Sequence, residues 1–186
     1  MTTSKHGSPL PSSNARKPVH ANATTLATAP NFRRTIGTRV GYGETPLGRH
    51  VADMRQVRHR PPPPTLDPGM GRNIAAARLS DGSVIDGVSG NPHGCSENEI
   101  QGKLDALNNG RTPPLKIEEL YTERQPCCNC ENLMNTKHSG ADVNWTVEHF
   151  DVPGTPSTPE EAKALRQLKN LETAELKRAA YTYHGI

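Results

Sequence analysis

The chain contains four cysteines, Cys95, Cys127, Cys128 and Cys130. In Cys127-Cys-Asn-Cys130 the outer two thiols stand one helical turn apart, the usual bite for zinc. Cys95 offers a third thiol from a separate segment. Three protein ligands and one open position make a catalytic zinc arrangement, whereas four make a closed structural one. Glu97 follows Cys95 by two residues. On a helix it points away from that thiol, placed to face the open position without ligating. A carboxylate there suits general acid and base work on a polarised water. Other frames stay open at this level. Cys128 with Cys130 would form a C-x-C pair, and His93 would substitute for Cys95. Four cysteines in a short chain also permit a disulfide framework, but thiols at zinc spacing favour a reducing compartment.

These residues need elements to hold them. Two short apolar runs flank the Asp81-Gly82 turn, and residues 73–88 therefore read as a β-hairpin, although the alanines at 75 to 77 would suit a helix as well. Ser89 to Gly94 is a loop. Cys95 to Leu107 has apolar positions 100, 104 and 107 at helical spacing, and Asn108-Asn-Gly110 stops that helix. Leu115 to Thr122 reads as a strand. Pro126 opens a short helix over Cys127 to Lys137. Val143 to Val147 alternates as a strand, and Pro159-Glu-Glu161 opens a last helix with leucines at 165, 168, 171 and 176. Strands alternating with helices define an α/β class with helices covering a sheet.

Composition divides the chain near position 70. Of 186 residues only 32% are hydrophobic and 4% aromatic, too few for one core along the whole length. Residues 1–70 carry ten basic and three acidic residues and ten of the 17 prolines, and residues 71–186 carry twelve basic and sixteen acidic residues. The expectation is a disordered basic leader over 1–70, ended by the stiff run Pro61 to Pro64, and one compact domain over 71–186. Residues 1–30 lack the apolar core of a secretory signal. No apolar run approaches the roughly 18 residues of a membrane span.

The order C-x-E, a gap of about thirty residues, then P-C-x-x-C resembles the zinc-dependent nucleotide and nucleic-acid deaminases, whose signature is H-x-E…P-C-x-x-C. Gly94-Cys-Ser-Glu-Asn-Glu-Ile100 and Leu120-Tyr-Thr-Glu-Arg-Gln-Pro-Cys-Cys-Asn-Cys130 are similar to deaminase domains of bacterial polymorphic toxins, of the Xanthomonas-type deaminase toxin family. The resemblance covers about Asn73 to Phe150. It implies a cytidine-deaminase-like three-layer α/β/α sheet, Zn2+ on Cys95, Cys127 and Cys130, and Glu97 as the catalytic acid and base. It places substrate contacts in the loop before the active-site helix, with Asn91 and Ser89 as candidates. Cys95 departs from the family, since most toxin relatives have His there and free-nucleoside cytidine deaminases commonly have Cys. Three thiolates make the metal more electron-rich than a site with His does.

The expected activity is conversion of cytosine to uracil in nucleic acid, with single-stranded DNA favoured. As a toxin the protein would be secreted into a target cell, would act in its cytoplasm, and would have a cognate immunity protein; no membrane partner is expected. Three alternatives stand beside this: deamination of free cytidine or nucleotides, deamination of adenine, and a structural-zinc module without catalysis. Glu99, Glu123 and Arg124 read as solvated or salt-bridged, and Tyr121 and Trp145 as core. His138 and His149 have no partner spacing. The charges of the last helix read as a solvated face.

Overall fold

The computed structural model describes residues 36–58, 71–90, 92–150 and 158–185. Its elements are β1 (Thr38–Arg39), α1 (Pro46–Arg58), β2 (Ile74–Leu79), β3 (Val84–Val88), α2 (Ser96–Asn108), β4 (Ile117–Arg124), α3 (Cys128–Lys137), β5 (Asp142–Val147) and α4 (Pro159–His184). Strand order in the five-stranded sheet is β1-β5-β4-β2-β3. β2 pairs antiparallel with β3 and β4, while β5 runs parallel to β4 and to β1. The parallel β4–β5 pair requires a crossover, and α3 supplies it.

Helices cover both faces, so β2 must be apolar on both. Ala75, Ala77 and Leu79 pack with Leu120 and Val143 against Ile100 and Leu104 of α2 and Met134 of α3. Ile74, Ala76 and Tyr121 point the other way, onto Leu47 and Val51 of α1. Burial between two layers selects strand over helix for the alanine run, whose residues are all 0% exposed. The hairpin turn holds because Asp81 accepts hydrogen bonds from the Ser83 amide at 3.1 Å and its hydroxyl at 2.6 Å, with Gly82 at φ 83°. At Gly87 a Cβ would stand 2.2 Å from the Ser96 carbonyl oxygen. Only glycine lets β3 approach the start of α2 so closely.

The three-layer α/β/α sheet expected from the sequence is present. The boundary at position 70 needs correction, because part of the expected leader belongs to the domain. Thr45 caps α1, its Oγ1 accepting from the Gly48 amide at 2.9 Å, and Pro46 takes the first helical position. Leu47, Val51 and Arg55 then fall one turn apart on the buried face. Arg55 meets Glu123 of β4 in a bidentate pair, Nε to Oε1 and Nη2 to Oε2, both at 2.5 Å. Glu123 also accepts the Ile74 amide at 2.9 Å and the Tyr42 hydroxyl at 3.1 Å. Burial, then the charge of Glu123, raises the Tyr42 phenol well above its ordinary range. The remainder of the expected leader, 1–35 and 59–70, lies outside the described residues, as does Pro61 to Pro64.

α4 starts with a capping box, in which the Thr158 hydroxyl accepts the Glu161 amide at 3.2 Å and Glu161 accepts the Thr158 amide at 3.3 Å. Its buried face is Glu172, Leu176 and Ala180, against Val147 of β5. Leu176 is thus the one leucine of the four that is fully buried, and Leu171 is exposed. Leu107 of α2 is exposed as well, so Ile100 and Leu104 carry that helix's packing. Among the described residues no helix is long and apolar enough to cross a membrane.

Arg55 is 3% exposed and Glu123 0%. Removing one partner of such a pair leaves a buried charge uncompensated. Arg55→Ala should therefore lower unfolding free energy by about 3–5 kcal/mol in chemical denaturation. A value near zero would detach α1 from the folded unit.

Candidate metal centre and active-site cleft

Cys95 is the cap of α2 and Cys127 the cap of α3, both extended, with φ −88° and ψ 152° at the first and φ −66° and ψ 166° at the second. Cys130 lies in the first turn of α3 and is buried. The Cys95 and Cys127 sulfurs are 3.2 Å apart, those of Cys127 and Cys130 are 3.3 Å apart, and the three lie within 4.8 Å of one another. Sulfurs around a tetrahedral zinc stand roughly 3.8 Å apart, given Zn–S bonds of about 2.3 Å. The Cys95–Cys127 and Cys127–Cys130 pairs reach that spacing by opening about half an ångström.

Electrostatics point the same way. Two helix N-termini converge on the sulfurs, and their unpaired amides favour negative charge. Hydrogen bonds from Cys130 and then Cys95 pull the Cys127 thiol down to about 2, with the amides of Cys130 and Asn129 adding to the effect. The same contact with Cys127 pushes Cys95 up to about 12, and contacts with Cys127 and Cys95 push Cys130 far above its ordinary value. Soft thiolates at this distance fit a soft divalent cation, which would hold all three deprotonated.

Glu97 sits in the first turn of α2, 4% exposed. Its Oε2 accepts the Ser96 hydroxyl at 3.0 Å and lies 3.4 Å from the Cys130 sulfur, and its Oε1 accepts the Thr122 hydroxyl at 3.0 Å. Burial pushes its carboxyl above the ordinary range, and its own backbone amide, Ser96 and Thr122 oppose that rise. Alternation along β4 makes this possible. Thr122 faces Glu97 while Glu123 faces Arg55 of α1.

Asn73, which the sequence reading treats only as the start of a strand, organises these hydroxyls. Its Oδ1 accepts the Arg124 amide at 3.0 Å, which fixes the orientation of the side chain. Its Nδ2 donates to Ser96 Oγ at 2.8 Å and to Thr122 Oγ1 at 2.7 Å. An amide nitrogen only donates, so each hydroxyl keeps its own proton for another acceptor, which is Glu97 for Ser96 and is shared by Glu97 and the Arg124 carbonyl for Thr122. Spacing carried no signal for this role. An asparagine opening a buried strand, against its β-propensity, was the available hint.

Cys95, Cys127 and Glu97 line a cleft of about 280 Å3, with Asn73, Ser89, Arg124, His149, Lys169, Glu172 and Thr173 also on its walls, while Cys130 lies buried behind it. The cleft lies beyond the carboxyl ends of β4 and β5, where open α/β sheets hold their ligands. Ser89 is thereby placed on the cleft, its hydroxyl accepting the Asn73 amide at 2.7 Å. Asn91 falls outside the described residues. His93 is exposed and outside the sulfur cluster, and Cys128 is exposed, so the frame is Cys95 with Cys127 and Cys130. Glu123 and Arg124 are both buried and ion-paired. Tyr121 is core, and half-buried Trp145 donates to the Ile36 carbonyl at 3.0 Å.

Glu172 and His149 of the cleft also escaped the sequence reading. Glu172 looked like one more charge on a solvated helix but is buried, where it pairs with Arg124 and accepts His149 Nδ1 at 2.9 Å. Burial would raise its carboxyl, yet the hydrogen bond and charge of His149 and the charge of Arg124 hold it below the ordinary range.

A layered sheet that brings three thiols and a buried carboxylate to one cleft at its strand ends defines a deaminase-type α/β protein. Residues 70–173 match the Xanthomonas-like deaminase family, and the chain belongs to that family. The match passes Phe150, where the sequence resemblance ended, and takes in Lys169, Glu172 and Thr173 of α4. No curated protein matches the chain.

One equivalent of Zn2+ should stabilise the protein by about 2.7 kcal/mol when free metal is a hundredfold above Kd. Calorimetric melting of the native chain and of Cys127→Ser, which should lose the increment, measures this. Glu172 adds a pH dependence. Because its folded value is depressed, its stabilising contribution is present above the ordinary 4.5 and is lost as pH falls from there through the folded value. Unfolding free energies taken between pH 7 and pH 3 should fall more steeply for the native chain than for Glu172→Gln.

Proposed function

We propose that this protein is a zinc-dependent hydrolase that converts cytosine to uracil in nucleic acid, single-stranded DNA foremost. We read it as a secreted bacterial toxin, active in the cytoplasm of a target cell and blocked by an immunity protein in its producer. The observation that carries the chemistry is Glu97, a buried carboxylate beside three sulfurs on an open cleft. Cys95, Cys127 and Cys130 would hold the zinc, which when bound supplies a water acidic enough to be deprotonated near neutral pH.

Glu97 would carry one proton of that water to the ring nitrogen and then the second, from the hydroxyl added at C4, to the departing amine. Water adds at C4, the C4–N bond breaks, and uracil and ammonia leave. Burial, which raises the affinity of Glu97 for a proton, suits the acid half of this cycle, and the Ser96 and Thr122 hydroxyls keep the carboxylate aimed during the base half. Adenine attacked at C6 is the equivalent reaction. Membership of the deaminase family and the place of Cys95 and Cys127 on the cleft wall support an open site over a closed structural one. A second reading, deamination of free cytidine or nucleotides, draws on Cys95, the ligand type common in that class. The toxin reading draws on the similarity of the cysteine segments to polymorphic-toxin domains.

Glu97→Gln keeps the shape of the side chain and removes its basicity. It should retain zinc and thermal stability while uracil formation falls by at least about 100-fold, the lower bound for loss of a general acid-base group. Uracil release would be read on single-stranded DNA, duplex DNA, RNA and cytidine, with inosine scored for adenine. Wild-type activity surviving in the variant would remove Glu97 from the mechanism.

A further inference from the structure

The cleft has a second wall, away from the sulfurs, that the deamination chemistry leaves unused. It is formed by His149 just beyond β5 and by Lys169, Glu172 and Thr173 of α4. Residues three and four apart share a helix face, so Lys169, Glu172 and Thr173 present their side chains together. Glu172 is the keystone. Its Oε1 pairs with the Arg124 guanidinium, and its Oε2 accepts His149 Nδ1 at 2.9 Å and the Phe150 amide at 3.3 Å. Arg124 is itself tied down, donating from Nη1 to the Arg72 carbonyl at 3.0 Å. The buried chain Arg124–Glu172–His149 thus sets the imidazole through Nδ1. Its Nε2 has no hydrogen-bond partner among the described residues and is not sealed from solvent.

The charges of this wall do not cancel. Arg124 offsets Glu172 within the buried chain. Lys169 is exposed, lines the cleft and has no carboxylate partner among the described residues, so it brings an uncompensated positive charge to this wall. Thr173 adds a hydroxyl one turn along. The opposite wall is anionic, with Glu97 and a three-thiolate cluster that stays one charge negative around a divalent cation. A ligand lying across such a cleft meets an electron-rich catalytic end and a cationic far end.

We propose that Lys169, Thr173 and His149 form a phosphate subsite, so that the substrate is a phosphate-bearing cytosine and not the free nucleoside. The phosphate belongs to a mononucleotide or to the backbone of a single strand, and both present the same anionic oxygens to an ammonium, a hydroxyl and an imidazole. The proposal rests on the deaminase reading for the position of the base. Specificity then comes from α4, outside the C-x-E and P-C-x-x-C segments.

The test uses the full-length zinc-loaded protein with cytidine, cytidine monophosphate and a single-stranded oligonucleotide bearing one cytosine. For Lys169→Ala, the ratio of kcat/KM on each phosphorylated substrate to kcat/KM on cytidine should fall at least tenfold for one or both, and Lys169→Arg should restore most of it. A fall confined to the monophosphate assigns the subsite to a mononucleotide, and a fall confined to the oligonucleotide assigns it to the backbone. An unchanged ratio, or an equal loss on all three substrates, overturns the proposal. A binding arm separates it from the deaminase reading. With Glu97→Gln present throughout, adding Lys169→Ala should weaken binding of the monophosphate or the oligonucleotide tenfold. If the wild type converts nothing, the deaminase reading falls while this arm still decides the subsite. If neither affinity changes, the subsite falls whatever the activity.

Discussion

Three sulfurs gathered within 4.8 Å are an electrostatic problem before they are a site. Thiolates at that separation repel strongly in a half-buried setting. The fold answers by aiming two helix N-termini at the cluster. Cys95 and Cys127 are both cap residues, so each ligand sits where its helix has amides to spare. Much of the architecture follows from that requirement. α2 must start hard against β3, which Gly87 allows, and α3 must start where β4 ends, which Pro126 and the parallel crossover to β5 enforce. The alanines of β2 keep the sheet thin enough for helices on both sides.

β4 is the strand on which the site and the fold are most closely tied. Successive residues point to opposite layers, so Thr122 reaches Glu97 while Glu123 takes the bidentate grip of Arg55. The two sides meet again at one carbonyl. Arg55 Nη2 and Arg124 Nη1 both donate to the Arg72 oxygen, at 2.9 Å and 3.0 Å, immediately before Asn73. The residue that orients the Ser96 and Thr122 hydroxyls is therefore held by arginines from α1 and from the end of β4. α1 supports the chemistry at a distance, through the backbone of residue 72, without touching the cleft.

That dependence explains what was legible in the sequence. Residues whose function lies in their own spacing could be read: Cys95 and Glu97, then Cys127 and Cys130, and the alternating strand around Trp145. α1 was hidden because its buried face includes Arg55, whose charge belongs in the core only once Glu123 is known to be opposite. Thr45, Pro46, Leu47 and Val51 were an adequate start signal, outweighed by the basic and proline-rich stretch around them. Glu172 and His149 were missed for a related reason. Each is ordinary in its own segment, and their meaning comes from a meeting across 23 residues of chain. The leucine stripe of α4 misled in the opposite sense, because the helix packs through Glu172, Leu176 and Ala180 to satisfy Arg124.

The same buried carboxylate bears on how a slightly acidic domain would handle a polyanion. Net charge governs long-range attraction, but contact depends on the few groups within a Debye length, about 8 Å at physiological salt. Of the charged groups on the cleft, Glu172 is neutralised by Arg124, and Glu97 lies in the sulfur wall, hydrogen-bonded to two hydroxyls. Lys169 is what remains facing the opening. Acidic residues elsewhere on the domain would slow encounter without opposing the bound state, and a weak long-range field leaves selection to the contacts made inside the cleft. If the substrate is a base within a strand, as proposed, discrimination that resides in the bound complex is the more useful property.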